Sequence, residues 1–228
     1  MPDLGVVIVT GGASGLGAAV TSGVRTAGGR PVVLDRATPA DGLDREVVDL
    51  ADSAAAEQAV VRVAERHGRL DAVVTCAGTD ACGRLDEVPR ESWEHVVRVN
   101  LLGTAAVVRA ALPHLERSGG RVVTVASTLG LRALSDATAY CASKFGVVGF
   151  TRALAAETAG RVGVTLLVPG GMSTAFFDGR PEQYRPPADA QLTRPQDVAA
   201  AVLFALTQPA GCEVRELLVA PSREPSWP

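Results

Sequence analysis

The chain has 228 residues, 47% of them hydrophobic and 21% charged, with a formal net charge of −3 at pH 7. A length of that order, with no linker-like stretch before residue 170, fits one large domain, and the slight acidity leaves no electrostatic footprint for nucleic acid. No apolar run approaches the roughly 18 residues that span a bilayer, and the opening "MPDLGVVIVTGG" enters a strand without the basic region of a signal peptide, so a soluble, cytoplasmic protein is expected.

In chain order, "GVVIVT" (5–10) reads as a strand and 15–27 as a helix. "PVVLD" (31–35) and 53–67 repeat the pair, as do "DAVVT" (71–75) with 90–117 and "RVVTVAS" (121–127) with 138–160. "GVTLLVP" (163–169), a helix over 195–207 and the strand "ELLVA" (216–220) complete the series. The strands are nearly continuous in apolar, often β-branched residues, the pattern of parallel strands buried on both faces. Ser53 ahead of an alanine run and Pro195 in a first turn mark helix starts, while Gly28-Gly29 and Gly68 mark helix ends. Alternation of strand and helix throughout predicts an α/β fold with a doubly wound parallel sheet in a single domain. The irregular stretch is 170–194, and a long loop after a C-terminal strand end is where such sheets take ligands. Cys76, Cys82, Cys141 and Cys212 form no CxxC pair, which suits reduced thiols rather than disulfides or a metal site. His67, His95 and His114 sit alone on predicted helices and read as surface or packing residues.

Two stretches carry chemistry. In "VTGGASGLGAAV", directly after the first strand, Gly11, Gly15 and Gly17 are spaced GxxxGxG. Gly11 permits a tight turn, Gly15 between Ser14 and Leu16 lets backbone approach a pyrophosphate, and Gly17 lets the helix pack on the sheet, so the helix N-terminus faces phosphates. Asp35 closes the second strand, near the ~20-residue spacing at which an acidic side chain takes ribose hydroxyls. In "TAYCASKFG" (138–146), Tyr140 is one of two tyrosines and Lys144 the only lysine among 22 basic residues. Spaced i and i+4, both project from one helix face. A phenol with pKa near 10 is a poor proton carrier at neutral pH. An ammonium about 4 Å away, at an effective dielectric near 20, would favour the phenolate by roughly 4 kcal/mol and bring it to where acid–base catalysis works best. The larger, rigid arginine fork is less suited to a donor that must also reach a ribose.

Together these residues resemble the short-chain dehydrogenases/reductases, which bind NAD(P) on a Rossmann-type fold, and the match runs over almost the whole chain. "TGGASGLG" (10–17) looks like the family's cofactor loop and "YCASK" (140–144) like its Tyr-xxx-Lys site. Ser127 matches the serine that orients the substrate carbonyl, and Asn100 in "VRVNLLGT" the asparagine that holds a relay water. Asp49, followed by Leu50, matches the acidic residue near the adenine. "PGGMST" (169–174), with Pro169, Gly170, Met172 and Thr174, resembles the segment beside the nicotinamide. The chain departs from the family at "TCAG" (75–78), where Asn-Asn-Ala-Gly is common. Ala77 and Gly78 keep the small positions, while the asparagine hydrogen bonds are lost.

The resemblance implies hydride transfer between a nicotinamide and a secondary alcohol or ketone, with Asn100, Ser127, Tyr140 and Lys144 as the catalytic set. NAD is expected over NADP, because Asp35 would repel a 2′-phosphate and Ser14 stands where a basic reader of it would be; Arg36 is the complication. An NADPH-dependent ketoreductase, a non-catalytic NAD-binding scaffold, and a dehydratase or epimerase using the same tetrad are the rival readings. Thr128, Leu129, Leu134, Met172, Phe176 and Phe177 form a mainly apolar candidate lining, for a small or medium, largely apolar substrate carrying a hydroxyl. Arg132, Arg180 and Arg185 read as solvated surface ahead of anion readers. A homodimer or homotetramer through helices 90–117 and 138–160 is expected. The tail "SREPSWP" is too rich in proline to extend the sheet, and Trp227 is expected either on a neighbouring subunit or disordered.

Overall fold

The structure, a computed structural model, describes residues 4–38 and 42–227. The first three residues of the expected leaderless start and the final proline of the tail lie outside them. The elements are β1 (Val6–Thr10), α1 (Gly15–Thr26), β2 (Arg30–Asp35), β3 (Asp44–Val47), α2 (Ser53–His67), β4 (Ala72–Thr75) and α3 (Arg90–Val97). A π-helical segment (Arg98–Gly103), α4 (Thr104–Ser118), β5 (Arg121–Val125), α5 (Thr138–Glu157), β6 (Gly163–Pro169), α6 (Pro195–Leu206) and β7 (Glu216–Val219) follow.

The strands form one parallel sheet in the order β3-β2-β1-β4-β5-β6-β7. Side chains alternate across a strand, so an all-apolar strand must serve two cores. Val6 and Ile8 of β1 face a core shared with α2, α4 and Leu154 of α5. Val7 and Val9 face the opposite core, built on Leu16, Val20 and Val24 of α1 and Val198 and Val202 of α6. β1 pairs with both β2 and β4, so the connections leaving these strands go to opposite faces. The crevice at their C-terminal ends is the ligand position of a doubly wound sheet.

Three elements differ from the sequence reading. β3 was not expected; its sequence "DREV" alternates half-buried and exposed positions at the sheet edge. Ion pairs fasten it to α2, from Glu46 to Arg62 and Arg66 and from Asp44 to Arg66, and Asp44 is also hydrogen-bonded to His67. The helix expected over 90–117 is interrupted by the π segment. The stretch Arg90–Ser118 is also long and apolar enough to cross a bilayer, contrary to the expectation, but half of its apolar window is buried inside the fold. Finally, the 121–127 strand ends at Val125, and Ser127 instead caps the short turn Thr128–Gly130, its Oγ accepting from Leu129 N.

Candidate active site

The first end of the crevice is a cradle for phosphates. Gly11 adopts φ +66°, and a Cβ there would come within 2.8 Å of the Ala77 Cα, so both the left-handed turn and the close pass of the chain after β4 require glycine. A Cβ on Gly17 would stand 2.1 Å from the Gly11 carbonyl oxygen, so only glycine lets α1 start so close under the loop. Ser14 occupies the N-cap of α1 without a side-chain cap bond, which leaves first-turn N–H groups available to an anion. Asp35 accepts from Ala13 N at 3.0 Å and from Ala37 N at 2.9 Å, which fixes its carboxylate beside the loop with acceptor capacity left for hydroxyls. Asp49 accepts from Ala51 N, and Leu50 is buried next to it. Open amides at a helix N-terminus with a carboxylate at the neighbouring strand end fit a dinucleotide's pyrophosphate and ribose.

The other end carries the proton chemistry. α5 places Tyr140 in its first turn and Lys144 one turn on, with Nζ 5.6 Å from the Tyr140 ring centroid. Ser127 lies close enough to the Tyr140 hydroxyl to favour its ionised form. Lys144 is 4% exposed, and its Nζ donates to the Val125 carbonyl at 2.8 Å. Burial pushes the Lys144 ammonium down to about 8, against weaker support from Cys76 and Asp80. Burial likewise pushes the Tyr140 phenol up to about 12, opposed by Ser127. This corrects the expectation of a phenol near neutrality: desolvation dominates both groups, and the lysine points its proton at a backbone carbonyl. The lower of the two pKa values belongs to Lys144.

Asn100 also differs from expectation. It is buried in the π segment, and both Nδ2 hydrogens are engaged, to Thr79 O at 2.9 Å and Ser143 Oγ at 3.0 Å. Its Oδ1 accepts from Thr79 N at 2.8 Å. It therefore clamps the loop after β4 to α5, and it is the one expected site residue that does not line the cavity.

That cavity, of about 860 Å³, runs continuously from Gly11, Asp35, Arg36 and Asp49 past Ala77, Gly78, Pro169, Gly170 and Thr174 to Ser127, Tyr140 and Lys144. Thr128, Leu129, Leu134, Met172, Phe176 and Phe177 all line it, with Leu134 half exposed. Arg180, Gln183, Arg185, Gln191 and Glu224 add polar groups to this mainly apolar lining. His95 lines it too, although read from sequence as a surface or packing residue. Arg180 is not solvated surface: it pairs with Asp80 at 2.6 Å and lies 4.9 and 4.7 Å from the Phe176 and Phe177 ring centroids. Phe176 in turn contacts Tyr140, 5.8 Å between centroids. Residues 223–226 of the tail fold onto this cavity, and Trp227 beyond them is exposed. No sequence periodicity marks that placement.

A dinucleotide cradle joined to a Ser-Tyr-Lys cluster defines a nicotinamide-dependent oxidoreductase. The short chain dehydrogenase family model matches residues 5–185, and the chain belongs to that family. D-threitol dehydrogenase of Mycolicibacterium smegmatis is 35% identical over 221 residues, covering 87% of this chain and 84% of the relative. Among solved structures, an actinorhodin polyketide ketoreductase with NADPH superposes with a TM-score of 0.84 at 30% identity, covering 96% of this chain and 98% of the other. The ligand-free aldohexose dehydrogenase of Thermoplasma acidophilum shares the fold, with a TM-score of 0.86 at 22% identity over 94% of this chain and 92% of that one.

Proposed function

We propose that the protein is an NAD-dependent dehydrogenase interconverting a secondary alcohol and a ketone on a small or medium hydroxylated substrate, with linear polyols as the leading class. The observation carrying this reading is the grouping of Tyr140, Ser127 and Lys144 at one end of a cavity whose other end holds Asp35. The threitol dehydrogenase relative and the polar share of the lining support the polyol class.

The nicotinamide, when bound, accepts or supplies the hydride. The protein binds, orients and moves a proton. Ser127 holds the reacting oxygen through a hydrogen bond that strengthens as charge develops on it. Tyr140, with its phenol at about 12, is protonated at neutral pH and set to donate to a developing alkoxide. In the oxidative direction the phenol first gives up its own proton, which the neutral form of Lys144, at about 8, is the adjacent group able to take and pass on to solvent. The phenolate oxygen then receives the substrate's hydroxyl proton. Asn100 holds the loop and α5 in register so that these groups stay aligned.

An NADPH-dependent ketoreductase is the second reading, favoured by Arg36 at the cavity wall and by the NADPH-bound ketoreductase neighbour. The family's fold supports a cytoplasmic location. The exposed Leu102 beside α4 and Phe145 on α5 support a homodimer or homotetramer. The test is turnover of D-threitol and a panel of secondary alcohols with NAD and NADP, followed by nicotinamide absorbance. Tyr140→Phe should bind cofactor normally and lose turnover by about a hundredfold or more. Retention of more than about a tenth of the rate refutes the assignment.

A further inference from the structure

The segment after β7 turns back over the crevice, and Arg223, Glu224, Pro225 and Ser226 line the same cavity as Tyr140 and Ser127. A chain of hydrogen bonds fastens it there. Ser226 is 7% exposed, and its Oγ lies 2.7 Å from Thr128 Oγ1 while donating to Glu224 Oε1 at 2.6 Å. With that single hydroxyl hydrogen given to the carboxylate, Thr128 is the donor in the other bond. Glu224 Oε1 also accepts from Ser226 N at 3.1 Å, and Oε2 accepts from Gly171 N at 2.8 Å. A Cβ on Gly170 would stand 2.3 Å from Glu224 Oε2, so the glycine makes room for the carboxylate. The segment thus bridges the turn that carries Ser127 and the Gly170-Gly171 strand end on the opposite wall.

A carboxylate offers about four acceptor positions, and the protein fills three at Glu224. An apolar substrate pressed against this wall would strip water from the charge and return no donor. A second hydroxyl on the substrate would supply one. We propose that this segment is the substrate-selecting wall of the active site, with Glu224 accepting a hydrogen bond from a hydroxyl remote from the reacting carbon and Ser226 positioning it. This deepens the dehydrogenase reading above and rests on it.

The experiment measures kcat and KM with NAD for 2-butanol, 2,3-butanediol and a four-carbon tetraol on the full chain. Glu224→Ala, the near-isosteric Glu224→Gln, Ser226→Ala and Ser226→Thr are compared with wild type. Wild type should favour the tetraol over 2-butanol. Each Glu224 variant should lose roughly tenfold to a hundredfold of that preference, chiefly in KM, as removal of a hydrogen bond to a charged group predicts. Ser226→Ala should lose part of it, and Ser226→Thr, which keeps the hydroxyl, should restore it. As a readout independent of turnover, the tetraol should change Trp227 fluorescence in a Trp93→Phe background and fail to do so once Glu224 is replaced. Equal losses on all three alcohols, an unchanged tetraol preference, or a wild type preferring 2-butanol overturns the proposal. Those outcomes leave the dehydrogenase reading standing so long as some alcohol is turned over and Tyr140→Phe abolishes it. If Glu224→Ala does not fold, Glu224→Gln decides alone. Absence of turnover on every alcohol overturns both.

Discussion

Replacing Lys144 with methionine, which keeps the length of the side chain and removes its charge, tests how the site holds its lysine. Burial takes the ammonium from an ordinary 10.5 to about 8. Between those values the unfolded chain binds a proton that the folded chain has released, so stability rises with pH across that window. From pH 7 to pH 10 the wild type should gain roughly 2 to 3 kcal/mol relative to the variant. Methionine also leaves the Val125 carbonyl without its donor, a cost of about 1–3 kcal/mol that does not depend on pH. The absolute difference at pH 7 therefore mixes two terms, whereas its slope with pH isolates the lysine. Tyr140, raised to about 12 from 10.0, contributes the opposite sign, with stability lost as pH rises through that higher window, so the titration stops at pH 10. Urea unfolding of the cofactor-free proteins at fixed protein concentration, at intervals from pH 7 to pH 10, gives both curves. If they run parallel, Lys144 is not held against a desolvation penalty and the reasoning fails.

Three further substitutions probe the neighbouring parts. Lys144→Arg keeps the charge in a pocket sized for an ammonium, and should cut turnover by about a hundredfold or more in steady-state assays. Asp35→Ala should raise the kcat/KM ratio of NADP to NAD by at least about tenfold, because the carboxylate that would repel a 2′-phosphate is gone. Asp80→Asn breaks the buried pair with Arg180; hydrogen exchange should accelerate over residues 175–187 and KM should rise by about tenfold, with a smaller change in melting temperature.

The sheet and the cradle were legible because they depend on patterns local in sequence. Five of the expected strands are runs such as "VVIVT", mostly apolar and buried on both faces. Gly11, Gly15, Gly17 and Asp35 follow one βαβ unit, so their spacing in the chain fixes their spacing in the crevice. β3 was invisible because half of its residues face solvent and its partners, Arg62 and Arg66, lie on a helix beyond it. The Glu224–Gly171 and Ser226–Thr128 contacts span 53 and 98 residues, and no periodicity reports a contact of that range. The pKa order of Tyr140 and Lys144 was misjudged because charge attraction can be read from a spacing, whereas desolvation depends on everything packed around the pair.

The π-helical segment between α3 and α4 sets the phase between two halves of what would otherwise be one rod. A π turn holds one residue more than an α turn, and each residue of an α-helix accounts for about 100° of rotation. Deleting one residue of 98–103 other than Asn100 would let the ladder close as continuous α-helix. α4 cannot rotate to absorb the change, since Val107, Val108, Ala111 and Leu115 are locked in the core. α3 would turn instead, swinging Trp93 away from Thr138 at the start of α5 and breaking the Asn100 bonds to Thr79 and Ser143. Such a chain would keep every strand and every reactive side chain and yet misalign the helix that carries Tyr140. What this segment encodes is a count of residues, and a deletion scan would find it where substitution scanning of its exposed positions would not.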